Sequence, residues 1–303
     1  MAAKRNRWLV GAVLTVALAA FLSLSLLPIL GSNNSRRANS NGNPDQPGDP
    51  ASMQAELESQ ARGYELVLER EPENQTALEG LVDTRIQMGD IEGVVQPLQK
   101  LVDLNPDVTD YAVLLAQTKQ QIGDLEDSAQ IYRDVLDQRP GDMNALQGLV
   151  ALLVQQGRPQ AAIGLLQDTL VTAEQLSREG NPRGIDTISV KLLLAQVFVE
   201  AEQTDQALSL YDETMAAAPE DFRPVLAKAL VLQETGQSQE ADSLFAQATA
   251  MAPAQFKDQI EQMANQPGTD GQGTAPSEAA ETTESSSDET MPSEPEAVDS
   301  GEE

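Results

Sequence analysis

The sequence predicts an all-α chain: a solenoid of stacked helical hairpins, preceded by one N-terminal transmembrane helix and followed by a disordered acidic tail. Three observations lead there. Gly89, Gly123 and Gly157 stand 34 residues apart, as do Pro106 and Pro140, and the interval returns between Pro219 and Pro253. A fixed period of this length marks supersecondary units that bury their apolar faces against each other. Residues 8–30 form a run of 23 residues without one charge. Aromatic residues are only 3% of the chain, while Ala, Leu, Val and Gln abound, which favours helices packed through small and aliphatic side chains.

From the start of the chain, residues 1–7 are a basic stretch with Lys4, Arg5 and Arg7, and the apolar run Trp8 to Leu30 follows. At about 1.5 Å per residue this run is long enough to cross a hydrocarbon core of about 30 Å. Trp8 lies where an interfacial aromatic sits. Ala17-Leu18-Ala19 offers the alternative of a cleaved signal peptide, but secretory apolar regions run about 7–15 residues. Cleavage there would also leave Phe21 to Leu30 as an exposed apolar end, so the expectation is an uncleaved, single-pass anchor. Lys4, Arg5 and Arg7 before the span outnumber Arg36 and Arg37 after it. That margin places the N-terminus in the cytoplasm and the solenoid on the periplasmic or lumenal side. Residues 31–50 are polar and rich in Pro and Gly, the composition of a flexible linker.

Residues 51–265 carry the repeat. A lone capping helix is expected over 51–72, with Tyr64 and Pro72 in register. Full units follow at 75–108, 109–142, 143–176, 188–221 and 222–255, and a C-terminal cap at 254–265. Gly ends the first helix of a unit because the chain must turn through positive φ there. Pro after the second helix stops it and presets the next turn. Ala162, Ala207 and Ala241 are small enough for close helix approach, and Leu98, Tyr132, Leu166, Tyr211 and Phe245 fill the space between helices. Pro97 falls inside a second helix, where a kink or a shifted start is expected. Between the third and fourth units the spacing grows from 34 to 45, and Ser177 to Thr187, with its Gly and Pro, is read as an inserted loop. Such a loop either borders a binding side or is merely tolerated.

These units resemble the tetratricopeptide-repeat (TPR) family over residues 51–265: Leu78, Leu81 and Gly89-Asp90 in one unit, Ala129, Tyr132 and Pro140 in the next, Ala241, Phe245 and Pro253 in the last. The resemblance implies a right-handed superhelix whose partners bind in a groove lined by the first helix of each unit. Carried over position by position, the lining is Thr76, Glu79, Asp83 and Gln87, then Asp110, Val113, Gln117 and Gln120. Asn144, Gln147, Ala151 and Val154 follow, then Ser189, Leu192, Gln196 and Val199, and finally Arg223, Leu226, Leu230 and Gln233. This lining runs from acidic and polar to apolar, and it lacks the Lys/Arg clamp of TPR proteins that bind chaperone tails. A helical or extended partner segment with a basic or amide-rich part and an apolar part fits it. The wording of the repeats is also similar to membrane-anchored TPR proteins of cyanobacteria and chloroplasts, the Slow Green type among them. That implies a thylakoid or plasma membrane and a part in assembling membrane complexes.

Charge and composition narrow the function further. The formal charge of −29 divides into +5 over residues 1–37, −23 over 38–265 and −11 over 266–303. A chain this acidic repels nucleic acid. With no Cys and no His, thiol chemistry, zinc sites built on nitrogen or sulfur, and His-based catalysis are excluded. No phosphate-binding loop, dinucleotide fingerprint or nucleophile elbow is present. Glu56/Glu58 and Asp124/Glu126/Asp127 read as solvated faces, so no catalytic residue, cofactor, metal or small-molecule substrate is expected. Residues 266–303 are a disordered acidic tail, either solubilising or a bait for a basic partner. The expected function is a non-enzymatic, membrane-tethered interaction scaffold acting as an assembly or biogenesis factor. The alternatives are a holdase for exported clients and a TPR subunit of a cytochrome c maturation or secretion complex.

Overall fold

In the computed structural model the described residues, 50–180 and 184–266, form twelve α-helices and no strand. They are α1 Pro50–Arg70, α2 Gln75–Met88, α3 Ile91–Leu104, α4 Thr109–Gln121, α5 Leu125–Gln138 and α6 Met143–Gln155, then α7 Pro159–Arg178, α8 Thr187–Glu200, α9 Thr204–Ala217, α10 Phe222–Glu234, α11 Ser238–Met251 and α12 Ala254–Ala264. The expected span at 8–30, the basic stretch before it and almost all of the linker and tail lie outside the described residues. No described helix is long and apolar enough to cross a membrane.

Each hairpin is set by local chemistry at its turn. Gly89, Gly123, Gly157 and Gly236 take φ of +74°, +87°, +71° and +79°. The N–H of Gly89 reaches Ile86 O and that of Asp90 reaches Arg85 O, which satisfies carbonyls left over at the end of α2. The fourth hairpin has no glycine there. Glu202 takes its place at φ +60°, with its N–H on Val199 O and that of Gln203 on Phe198 O, so a side chain is forced into the left-handed region to make the same turn. At the helix starts, Asn74, Asp142 and Asp186 accept from the N–H groups of Ala77, Ala145 and Ser189 at 3.0–3.1 Å.

Pro97 does not shift the start of its helix, which runs from Ile91 with the proline buried inside it. A proline at that position leaves the Gly93 carbonyl without an intrahelical donor. Arg85 on α2 supplies one: its guanidinium donates to Gly93 O and also pairs with Glu65 of α1 at 2.7 Å.

The core follows the pattern of large residues against small. Leu98, Tyr132, Leu166, Tyr211 and Phe245 are buried, and so are Ala162, Ala207 and Ala241. Gly148 on α6 lies so close to the Tyr132 ring that an added Cβ would stand 2.3 Å from it, so that helix approach requires glycine. The buried apolar residues form three clusters, and Ile131 and Leu208 each pack against two of them, so the core is handed on from hairpin to hairpin.

The expected loop, Ser177 to Thr187, lies between α7, which ends at Arg178, and α8, which starts at Thr187. Nothing between Pro159 and Gly180 stops a helix, and α7 runs to Arg178, 20 residues against 14 in α3, α5, α9 and α11. Ala173 in the added stretch is buried. The chain turns at Gly180, φ +68°, and Ile185 then packs against the core beside Gly141, which lies between α5 and α6.

Candidate partner-binding groove

The face assigned to partners is built from the first helix of each hairpin: α2, α4, α6, α8 and α10. Aligning these helices on the positive-φ residues that follow them, Gly89, Gly123, Gly157, Glu202 and Gly236, puts Glu79, Val113, Gln147, Leu192 and Leu226 at one position, and Asp83, Gln117, Ala151, Gln196 and Leu230 at another. The expected set contains one slip. Ile86, which is 39% exposed, is the α2 residue that aligns with Gln120, Val154, Val199 and Gln233. Gln87 stands one residue further on, in the register of the residues that end α4, α6, α8 and α10.

Burial divides this set. Thr76, Asp83, Gln87, Asp110, Gln117 and Ala151 are exposed, and Glu79, Gln120, Asn144, Gln147 and Val154 are half-buried. Val113, Ser189, Leu192, Gln196 and Leu226 are buried and belong to the packing, not to an open surface. Val199, Arg223, Leu230 and Gln233 are half-buried. The reason lies in α8, where nine of fourteen residues, all between Ser189 and Phe198, are buried; a helix apolar on every side is enclosed by its neighbours.

On the open half the acids are left without cations. Glu79 accepts from Gln75 at 2.9 Å and from the Tyr111 hydroxyl, which bridges α2 to α4. Burial and that hydrogen bond raise the Tyr111 pKa. Burial, then the charge of Glu79, lifts the Asp83 carboxyl above its usual range. The nearby cations are engaged elsewhere: Arg85 with Glu65, Asp90 and the Gly93 carbonyl, Lys119 with Asp124 and Asp127 at 2.7 and 2.8 Å. Among the described residues no ion pair reaches Glu79, Asp83 or Asp110. Further along, Gln120 donates to Gln155 at 3.1 Å between α4 and α6.

On the closed half the polar members are already satisfied within the chain. Arg223 pairs with Asp221 at 2.6 Å and donates to Ser189 at 3.0 Å. Burial pushes Asp221 up, but the hydrogen bonds and charge of Arg223 outweigh it and hold the carboxyl below its usual range. Gln233 donates to the carbonyls of Ala264 and Gln266 at 3.2 and 2.8 Å, so α12 takes the last position of this face. Phe256 of α12 stacks on Phe222 of α10, one period earlier, with ring centroids 5.6 Å apart.

The tetratricopeptide repeat family profile matches residues 121–175. Among characterised proteins, SLOW GREEN 1, chloroplastic, of Arabidopsis thaliana is 26% identical over 167 residues, which cover 54% of this chain and 51% of that protein. The chain therefore spans about half the length of the relative it matches. Among solved structures, a tetratricopeptide repeat protein from Parabacteroides merdae is 14% identical with a TM-score of 0.43, over 70% of this chain and 78% of that one. Yeast Tom70 is 13% identical with a TM-score of 0.49, over 73% and 43%. That family profile falls inside an array of helical hairpins on the same period, so residues 121–175 match the tetratricopeptide repeat and the chain as a whole resembles the Slow Green type.

Proposed function

We propose that the chain is a non-enzymatic, membrane-tethered scaffold that serves as an assembly or biogenesis factor for membrane complexes, photosynthetic ones included. The fold supports the coarser part, since stacked helical hairpins of this family bind proteins. The tether rests on the uncharged run of residues 8–30 and places the helical array on the periplasmic or lumenal side of a thylakoid or plasma membrane. The assembly role rests on the likeness to a relative named as chloroplastic.

The observation that carries the partner chemistry is the uncompensated acidic and amide face of α2, α4 and α6. Among the described residues, Glu79, Asp83 and Asp110 lie there with no cation, beside Gln117 and Gln147. A partner segment bringing Lys or Arg finds complementary charge on that face and apolar contact at Ile86, Ala151 and Val154.

Affinity isolation of the full chain from gently solubilised membranes, beside E79Q/D83N/D110N, tests this. A scaffold yields one or two partners at near-equal stoichiometry that the triple variant loses and that weaken with salt. A broad client set, unaffected by the variant or by salt, replaces this reading with that of a holdase.

A further inference from the structure

In every full hairpin the second helix is covered along one side by the first. The position held by Val94, Ser128, Ala162, Ala207 and Ala241 is fully buried in all five. Seven residues on, Leu101, Val135, Thr169, Thr214 and Ala248 are at most 6% exposed. On the 34-residue period α1 is also a second helix, and it carries Gln60 and Val67 at these two positions. Here Gln60 is exposed and Val67 is 39% exposed. α2 holds α1 from another side, with the Tyr64 ring against Gly80 and Glu65 paired with Arg85. What α1 lacks is the first helix of its own hairpin. Residues 31–49, which precede it, are polar, contain Gly31, Gly42, Pro44, Pro47 and Gly48, and carry no apolar period from which to build one.

The uncovered side is a strip at alternating intervals of three and four: Met53, Glu56, Gln60, Gly63, Val67 and Arg70. That is the spacing of a seam between two helices packed lengthwise. All six residues are exposed, Met53 to 60%. A Cβ added at Gly63, in the middle of the strip, would meet nothing within 4 Å, so packing inside the chain does not require glycine there. Glycine inside a helix weakens it, and what it offers in return is close approach of another backbone.

Charge selects the occupant and its direction. Among the described residues neither Glu56 nor Arg70 has an ion pair, whereas the neighbouring Arg62 and Glu58 are paired with each other. Glu56 and Arg70 stand seven residues to either side of Gly63, about 21 Å apart along the helix, too far to meet within one copy. A second α1 laid antiparallel across Gly63 brings each Glu56 to the Arg70 of the other copy, twice by symmetry. A parallel copy would set Glu56 on Glu56 and Arg70 on Arg70, like on like.

We propose that this face of α1 is where a second copy of the chain docks, α1 against α1 in an antiparallel contact centred on Gly63, with Glu56 of each copy beside Arg70 of the other. The second α1 takes the side that the later hairpins fill with their own first helix, and it removes Val67 and Met53 from water. The contact does not use the acidic face of α2, α4 and α6, so its failure leaves the reading of that face standing. One helix on one helix is smaller than the roughly 1,200–2,000 Å² of a standard interface, so the contact is reversible and is read by trapping it.

The chain has no cysteine, so Gly63→Cys in the purified full chain introduces a single thiol at the two-fold axis, at a site with room for a side chain. Mild oxidation is expected to give a disulfide-linked product of twice the chain mass, because antiparallel crossing at this residue brings the two thiols within bonding range. Its initial rate should be well above that of Ser209→Cys, an exposed site on α9 that measures chance collision. Adding E56R to Gly63→Cys should slow trapping by about three- to tenfold, since exposed ion pairs are individually weak and two are reversed at once. E56R/R70E should restore the rate, and the distance between the two residues rules out a rescue within one copy. Equal rates at the two thiols, indifference to E56R, or no rescue by the exchange overturns the proposal. A cross-linked product of any other mass gives this face to a different partner and overturns it as well.

Discussion

The first two hairpins and the fourth use one repeat to different ends. At equivalent positions α2 and α4 place Asp83 and Gln117 in the open, while α8 buries Gln196, and Leu192 one turn before it. The period is the same and so are the helix lengths, 14 residues in both α2 and α8. What differs is how many sides of the helix are apolar. The comparison teaches that a family position names a direction from the helix axis, and that direction becomes a binding surface only where no neighbour occupies it.

The comparison breaks first at its most lopsided pair. Leu192→Ala, at a site 2% exposed in the native chain, is expected to cost about 2–5 kcal/mol, with the size set by how far the site collapses. Gln147→Ala at the same position of α6 should stay within about 0.5 kcal/mol. Urea unfolding followed by circular dichroism separates the two, and equal losses would mean that the two helices are equally enclosed. A middle-sized effect concerns the first hairpin, which borrows a guanidinium to mend α3. Arg85→Leu leaves the Gly93 carbonyl unpaired and should cost about 1–3 kcal/mol. Most of that loss should be recovered in the Arg85→Leu/Pro97→Ala double variant, where the helix supplies its own N–H. The smallest effect has the opposite sign. Glu202→Gly relieves the left-handed conformation at the fourth turn and should stabilise the chain by about 1 kcal/mol, less the entropy that glycine adds to the unfolded state. A thermal melt that moves downward would show that the Glu202 side chain contributes more in place than its backbone strain removes.

Much of the fold was legible because it rests on residues that act locally. Gly89 and Gly236 end helices wherever they stand, and Ala162, Ala207 and Ala241 are small wherever large residues must come close, whereas the caps Asp142 and Asp186 and the approach of Gly148 to Tyr132 came from the structure. The lining was less legible. Its register followed from the period, apart from the slip that put Gln87 where Ile86 belongs. Its exposure did not, because burial of Val113 or Leu226 depends on helices that approach from elsewhere in the chain. Gly180 and Pro182 signal the loop that follows α7, and the length of α7 lies in the run before them. The uninterrupted run up to Ser177 carried the stronger signal, since no residue in it stops a helix.

The sequence alone therefore determined the period, the ends of most helices, the pairing of large with small residues and the acidic charge, since each depends on neighbours within a few residues or on composition. Only the tertiary structure decided which positions of the repeat are open, that Arg85 answers Pro97, and that α12 closes the last hairpin through Gln233. Each of these depends on which side chains different helices bring within a few ångströms of one another, and that is a property of packing, which a period along one chain does not contain.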